Sequence, residues 1–286
     1  MYTGSIPVGA SLRNLLSLVL VLLGGIVLLG GALAAYARLG LLDEQDFAER
    51  AVESLEGAGV RRAIERELVG ALPEGATPRQ RRLIESATDE VIRSDAFREL
   101  FREATFQLHR LYLGGDDRVA LRLDAAIPLV EDVLPANAPT LVRFARRQLD
   151  GEVLTLRRGT FEGDTAARTE DARTLGVVLP LVAIALSLGA LALAVPRRRA
   201  LLWIGITTAL VGALIATSVP LTRALVLDQV EPTSVLSANE VRTAAGEVYD
   251  AFVGDLLGWG VVLVLMGVLI TGAGLEARRP RARPLG

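Results

Sequence analysis

Apolar and polar positions are segregated along this chain on two length scales. On the longer scale, four runs with no charged side chain in their interior cover roughly 14–37, 174–195, 200–222 and 256–275. A helix needs about 20 residues to cross a hydrocarbon core about 30 Å thick, so each run predicts a transmembrane helix. Two charge-dense stretches, 38–173 and 223–255, separate the first span from the second and the third from the fourth. The first of these is long enough to hold a hydrophobic core of its own.

On the shorter scale, helical periodicity begins at about residue 43. Phe47, Ala51, Val52 and Leu55 form one apolar stripe opposite Glu44, Glu49, Arg50, Glu53 and Glu56. Gly57 and Gly59 punctuate, and Val60, Ala63, Ile64, Leu68 and Leu72 make a second stripe that ends at Pro73-Glu74-Gly75. Thr77-Pro78 starts a third helix, with Leu83, Ile84, Ala87, Val91 and Ile92 inward. Ser94 or Asp95 caps a fourth, whose apolar face is Phe97, Leu100, Phe101, Ala104, Leu108 and Leu111. Gly114-Gly115 stops it.

The period then shortens to two. Val119, Leu121 and Leu123 alternate with Arg118, Arg122 and Asp124, the pattern of a half-buried strand, and a second strand is expected from Glu152 to Arg157. Residues 126–134 and 139–149 read as short helices, and 159–173 as a polar linker. In the later polar stretch, Ser237 or Asn239 caps an amphipathic helix with Val241, Ala245, Val248 and Phe252 on one face. With no proline before Leu256, that helix is expected to enter the fourth span and to dock the polar domain. The fold class is therefore mostly α: four transmembrane helices plus an α-rich extracytoplasmic domain with a small two-stranded β element.

Charge orients this layout. All 31 Lys+Arg residues are arginine. Arg13 precedes the first span, Arg197, Arg198 and Arg199 fill the turn between the second and third, and Arg278, Arg279, Arg281 and Arg283 follow the fourth, opposed only by Glu276. The positive-inside rule places these segments in the cytoplasm. The expected organisation is a cytoplasmic amino terminus (1–13), span one (14–37), an extracytoplasmic domain (38–173), span two (174–195), a cytoplasmic turn (196–199), span three (200–222), an extracytoplasmic loop and helix (223–255), span four (256–275) and a cytoplasmic tail (276–286). The location is a plasma (inner) membrane. Ala32-Leu33-Ala34 and Ala35-Tyr36-Ala37 mimic a signal-peptidase site, but the apolar run is longer than a secretory h-region, so span one reads as an uncleaved signal anchor.

Chemistry is scarce. The chain has no cysteine, which excludes disulfides, thiolate catalysis and cysteine-based metal sites and suits a bacterial cell surface. His109 is the only histidine. A metal site there needs further ligands such as Asp116, Asp117 or Asp124, and no metal-binding spacing supports one, so no cofactor is expected. Gly114-Gly115-Asp116-Asp117 is most simply a helix stop and turn. No nucleophile motif and no phosphate-cradling glycine loop is present. Arg61-Arg62-Arg66 and Arg79-Arg81-Arg82 are interleaved with acids and read as solvated faces with local ion pairs. Location and charge balance exclude nucleic acid. The spans lack the ionisable residues that mark ion pathways. They do carry small residues at four-residue spacing, namely Gly30/Ala34, Ala185/Gly189, Gly205/Ala209/Ala213 and Gly267/Thr271, which suit close helix packing. Pro180 and Pro220 are expected to bend or end their helices.

Phe47-Ala48-Glu49-Arg50-Ala51, Gly59-Val60-Arg61-Arg62-Ala63, Ser94 to Arg102 and Leu108-His109-Arg110 resemble segments of uncharacterised actinobacterial integral membrane proteins. So do Val119 to Asp124 and Tyr249 to Leu256. That resemblance covers most of the chain and implies the same one-plus-three layout, with no activity to transfer. In layout alone the chain is also similar to FtsX-like and macrolide-exporter subunits of ATP-driven transporters. The expected function is a non-enzymatic envelope protein, anchored in the lipid bilayer and presenting its outer domain to a protein or envelope polymer. The alternatives are a transporter-associated subunit and a surface enzyme using His109.

Overall fold

The computed structural model describes residues 8–70, 90–113, 118–122, 153–157, 165–232 and 236–276. These are predominantly helical. Four helices are long and apolar enough to cross a membrane: α1 (Val8–Gly40), α5 (Thr165–Leu193), α6 (Arg197–Asp228) and α7 (Ala238–Glu276). Shorter helices α2 (Glu44–Ser54), α3 (Ala58–Gly70) and α4 (Asp95–Tyr112) lie between α1 and α5. Two five-residue segments, Arg118–Arg122 and Val153–Arg157, are the other described parts of the chain between α4 and α5.

Three expectations on helix boundaries need correction. The second half of the expected linker, from residue 165 onward, is already the start of α5. Pro180 and Pro220 lie inside α5 and α6 and end neither helix. A proline removes one i→i−4 hydrogen bond, and the remaining ladder on either side carries the helix on. As a result α6 extends to Asp228, beyond the end of the apolar run. The expected continuity of the last helix holds, since α7 is unbroken over its 39 residues.

The chain forms two compact units. The apolar one comprises 1–38, 171–222 and 254–286, and the polar one 39–170 and 223–253. In the apolar unit, small residues seven apart make the helix contacts. On α1, Ser17 donates its hydroxyl to the Ala190 carbonyl at 3.1 Å. One turn-pair later, Gly24 faces Ala183, and a Cβ on Gly31 would come within 2.9 Å of the Pro180 nitrogen. On α5, Gly176 is as close to the Ala34 carbonyl, so Gly176, Ala183 and Ala190 repeat the same interval in the opposite direction. The pair α6/α7 uses the same device. A Cβ on Gly212 would sit 2.5 Å from the Gly260 carbonyl, and one on Gly267 2.5 Å from the Gly205 carbonyl. A seven-residue interval is close to two helical turns, so such positions stay on one seam as two helices run past each other. In lipid, where apolar helices gain nothing by hiding from water, this close backbone approach supplies the packing. Tyr36 of α1 adds an edge-on contact with Trp259 of α7, their centroids 6.1 Å apart.

The four-residue pattern read from the sequence is accordingly only partly used. Gly205 and Ala209 do meet Gly267, and Gly205 meets Thr271. Ala213 and Ala185 are exposed. Gly212 and Gly260, absent from that pattern, approach about as closely as the pairs within it.

The polar unit is built on capped helices. The Asp43 carboxylate accepts from the backbone N–H groups of Gln45 and Asp46 to start α2. Ser94, rather than Asp95, caps α4, accepting from the Phe97 N–H at 3.2 Å. At the start of α7, Glu240 reaches back and accepts from both the hydroxyl and the backbone N–H of Ser237. Ala48, Ala51, Val52 and Leu55 of α2 are buried, as are Ile92 and Leu111. On the expected face of α4, Leu111 is buried and Phe97, Leu100, Phe101 and Ala104 are half-buried, but Leu108 is 39% exposed and its neighbour His109 is buried at 3%.

Candidate functional site

The polar unit draws its few specific side-chain interactions around the first half of α7. His109 lies in the last turn of α4, whose register is set by the Ser94 cap. Its Nε2 is 2.9 Å from the carbonyl oxygen of Leu41, just past the end of α1. A carbonyl can only accept, so Nε2 carries the proton in this contact. Nδ1 is buried and has no hydrogen-bond partner among the described residues. The ring packs on Phe47 of α2, centroids 4.8 Å apart, and Phe47 in turn packs on Phe252 of α7 at 4.9 Å.

The described ring neighbour of this imidazole is thus the aromatic Phe47, not a carboxylate or a nucleophile. No group of His, Asp and Glu suited to a metal occurs among the described residues. Asp116, Asp117 and Asp124, the acids expected to complete a site, lie outside the described residues. The visible chemistry of His109 is that of a buried hydrogen-bonded tie between the last turn of α4 and the chain leaving α1.

Phe252 stacks against Phe47, and Val241 and Ala245 are half-buried, but Val248 is 38% exposed. Polar groups make up the rest of the contact. Glu247 accepts from the backbone N–H groups of Gly59 at 3.0 Å and Val60 at 2.9 Å, closing the exposed donors at the start of α3. Arg50 of α2 donates to the carbonyl of Ala251 at 3.1 Å. Arg223, near the end of α6, grips Asp250 through two parallel hydrogen bonds of 2.8 and 2.9 Å. None of these charged residues was singled out as a partner from the sequence. The available signal was Gly57 and Gly59, read only as punctuation: a Cβ on Gly59 would lie 2.8 Å from the Thr243 side chain and 3.1 Å from the Ala244 nitrogen. Close glycines at a helix start indicate that another element approaches there.

The first basic cluster is engaged in structure. Arg61 donates to the Leu55 carbonyl, Arg62 to that of Ala58, and Arg66 pairs with Glu240 at 2.6 Å. The Ser237 hydroxyl and backbone N–H, then Arg66, hold the Glu240 carboxyl below the usual glutamate range. This matches the expected solvated, ion-paired face. Arg79, Arg81 and Arg82 lie outside the described residues. Of the topology-setting arginines, Arg13, Arg197, Arg198 and Arg199 are exposed, and Arg278, Arg279, Arg281 and Arg283 lie outside the described residues. No protein family, curated protein or solved structure matches this chain.

Proposed function

We propose that this protein is a multi-pass protein of a bacterial plasma membrane, a non-enzymatic anchor that presents its polar unit outside the cell to a protein or an envelope polymer. The observation that carries this reading is the composition of α7. One uninterrupted helix contains Glu247 and Phe252, which hold α3 and α2, and also the apolar run 256–275. The membrane-anchoring helix is thus part of the core of the polar unit. The aromatic setting of His109 supports a structural role over a catalytic one.

In this reading both termini and the turn at Arg197–Arg199 are cytoplasmic, by the arginine asymmetry. The segments Arg118–Arg122 and Val153–Arg157 form the small antiparallel β element of the outer domain. The transporter-subunit alternative is disfavoured by the turn between α5 and α6, where Ala194, Val195 and Pro196 alone separate the helices and leave no room for an ATPase-coupling helix.

Orientation is tested with single cysteines, since the native chain has none. Cysteines at Ala76 and Ser234 should react with a membrane-impermeant reagent in intact cells, and those at Arg198 and Ala282 should not. Labelling at Arg198 without permeabilisation overturns the orientation. The binding role is tested by retention of envelope fractions on the purified full-length protein. Hydrolase activity that is lost in His109→Ala with the fold intact overturns the non-enzymatic reading.

A further inference from the structure

Arginines are used differently in the two units. In the polar unit, Arg50, Arg61, Arg62, Arg66 and Arg223 each bond to a neighbouring carbonyl or carboxylate. At one end of the apolar unit, Arg13, Arg197, Arg198 and Arg199 are exposed, and their guanidinium groups pair with no described residue. Of these, Arg199 lines a cavity of about 390 Å³ between α1, the α5–α6 turn and the start of α6, and Arg197 and Arg198 directly precede it in the chain, as Arg13 precedes the lining residue Asn14. The cavity rim carries Asn14 and Arg199. Its interior is apolar, with Leu18, Val21 and Trp203. Of its lining, Val21, Ala194 and Ala200 are buried, and the Ser17 hydroxyl donates to the Ala190 carbonyl. Trp203 remains 46% exposed.

A ligand for this cavity needs an anionic head for the rim and an alkyl chain for the interior. The geometry points to a binding site for a net-anionic phospholipid, its phosphodiester held by Arg199 and Asn14 and the first part of an acyl chain lying along Leu18 and Trp203. Guanidinium matches phosphate oxygens in a bidentate fork. Basic pockets between membrane helices on the cytoplasmic side suit such headgroups. A zwitterionic lipid fits worse, because its quaternary ammonium would be brought close to the exposed Arg199 guanidinium. An inorganic phosphate would leave the apolar interior empty. The site rests on the reading of the apolar helices as membrane spans.

Trp203 and Trp259 are the two tryptophans, so Trp259→Phe leaves Trp203 as the sole reporter in the full chain. In neutral detergent, phosphatidylglycerol brominated on its acyl chains should quench Trp203 saturably. Brominated phosphatidylcholine at the same mole fraction should not. Arg199→Ala should raise the half-saturating fraction at least tenfold, and Arg199→Lys should recover most of that loss. Arg198→Glu, at the exposed position next to Arg199 in the chain, should also weaken binding, whereas Arg38→Ala on the same helix as Asn14 should not. Equal quenching by the two lipids, an unchanged curve in Arg199→Ala and Arg198→Glu, or displacement of the brominated lipid by inorganic phosphate alone overturns the proposal. Partition of the protein into a detergent phase is scored in the same samples. A chain that partitions yet shows no lipid selectivity removes this site and leaves the membrane reading standing.

Discussion

Glu247 holds the backbone N–H of Val60 at 2.9 Å across 187 residues of sequence, and its second oxygen takes the N–H of Gly59. The first turn of a helix carries donors that its own ladder cannot satisfy. Here a carboxylate from a distant helix satisfies two of them and sits at the positive end of the α3 dipole. Removing it should cost about 0.5–2 kcal/mol, the range for losing a helix cap. Glu247→Ala should therefore lower the denaturation midpoint of the purified protein and speed proteolysis within α3. Glu247→Gln, which keeps one acceptor, should fall between. Wild-type behaviour in Glu247→Ala would show that the contact is incidental.

The aromatic chain from His109 through Phe47 to Phe252 links α4, α2 and α7 in the polar unit. Phe252→Asp should put a charge among these rings and accelerate cleavage of the polar unit by protease in detergent, while detergent extraction stays normal. Val248→Asp, at the exposed neighbouring position, should change the cleavage kinetics little. Equal effects of the two substitutions are incompatible with the packing described.

His109→Ala removes both a buried ring and the donor to the Leu41 carbonyl. Leaving a buried acceptor unpaired costs about 1–3 kcal/mol, and the vacated volume adds to that. Thermal unfolding should shift down clearly, and amides near Leu41 and the end of α4 should exchange faster. His109→Gln, which can still donate, should recover part of the loss. A fully stable His109→Ala protein would favour a functional role for the imidazole.

Glycines of the apolar unit divide into two classes. Gly212→Ala would drive a Cβ to 2.5 Å from the Gly260 carbonyl, so the helices α6 and α7 must part. Overpacking of this kind costs about 1–3 kcal/mol, and the midpoint of thermal unfolding in detergent should fall. A Cβ on Gly258 or Gly272 meets nothing within 4 Å among the described residues. Alanine there should be neutral or slightly stabilising, by up to about 1 kcal/mol of helix propensity. The same midpoint for Gly212→Ala and Gly258→Ala would refute the seam.

The four long helices, the unbroken entry of α7 into its apolar run and most of the caps were legible in the sequence. Each depends on neighbours within a few turns: charge-free length, an uninterrupted ladder, and a serine or aspartate placed before an apolar stripe. The reading failed first where a local signal was ambiguous. Four-residue spacing of small residues is frequent in a chain this rich in glycine and alanine, and it highlighted Ala185 and Ala213, which are exposed. The seven-residue interval joining Ser17, Gly24 and Gly31 was visible too, but only the partner series Gly176, Ala183 and Ala190 gives it meaning. Leu108 looked inward and His109 marginal because hydrophobicity alone does not fix the rotation of a helix. Leu41 and Phe47, brought to that face by the fold, made the histidine the buried residue.

What the sequence by itself determined is the division into apolar spans and charged segments, because exclusion of charge from a bilayer and helix continuity act along the chain. Only the tertiary structure decided which charges are partners. Arg50 with Ala251, Glu247 with Val60, and Arg223 with Asp250 are pairings between separate helices. Arginine and glutamate at a helix surface look the same in sequence whether they end in water or against another backbone. The difference lies in desolvation and geometry, and neither exists until the helices have packed.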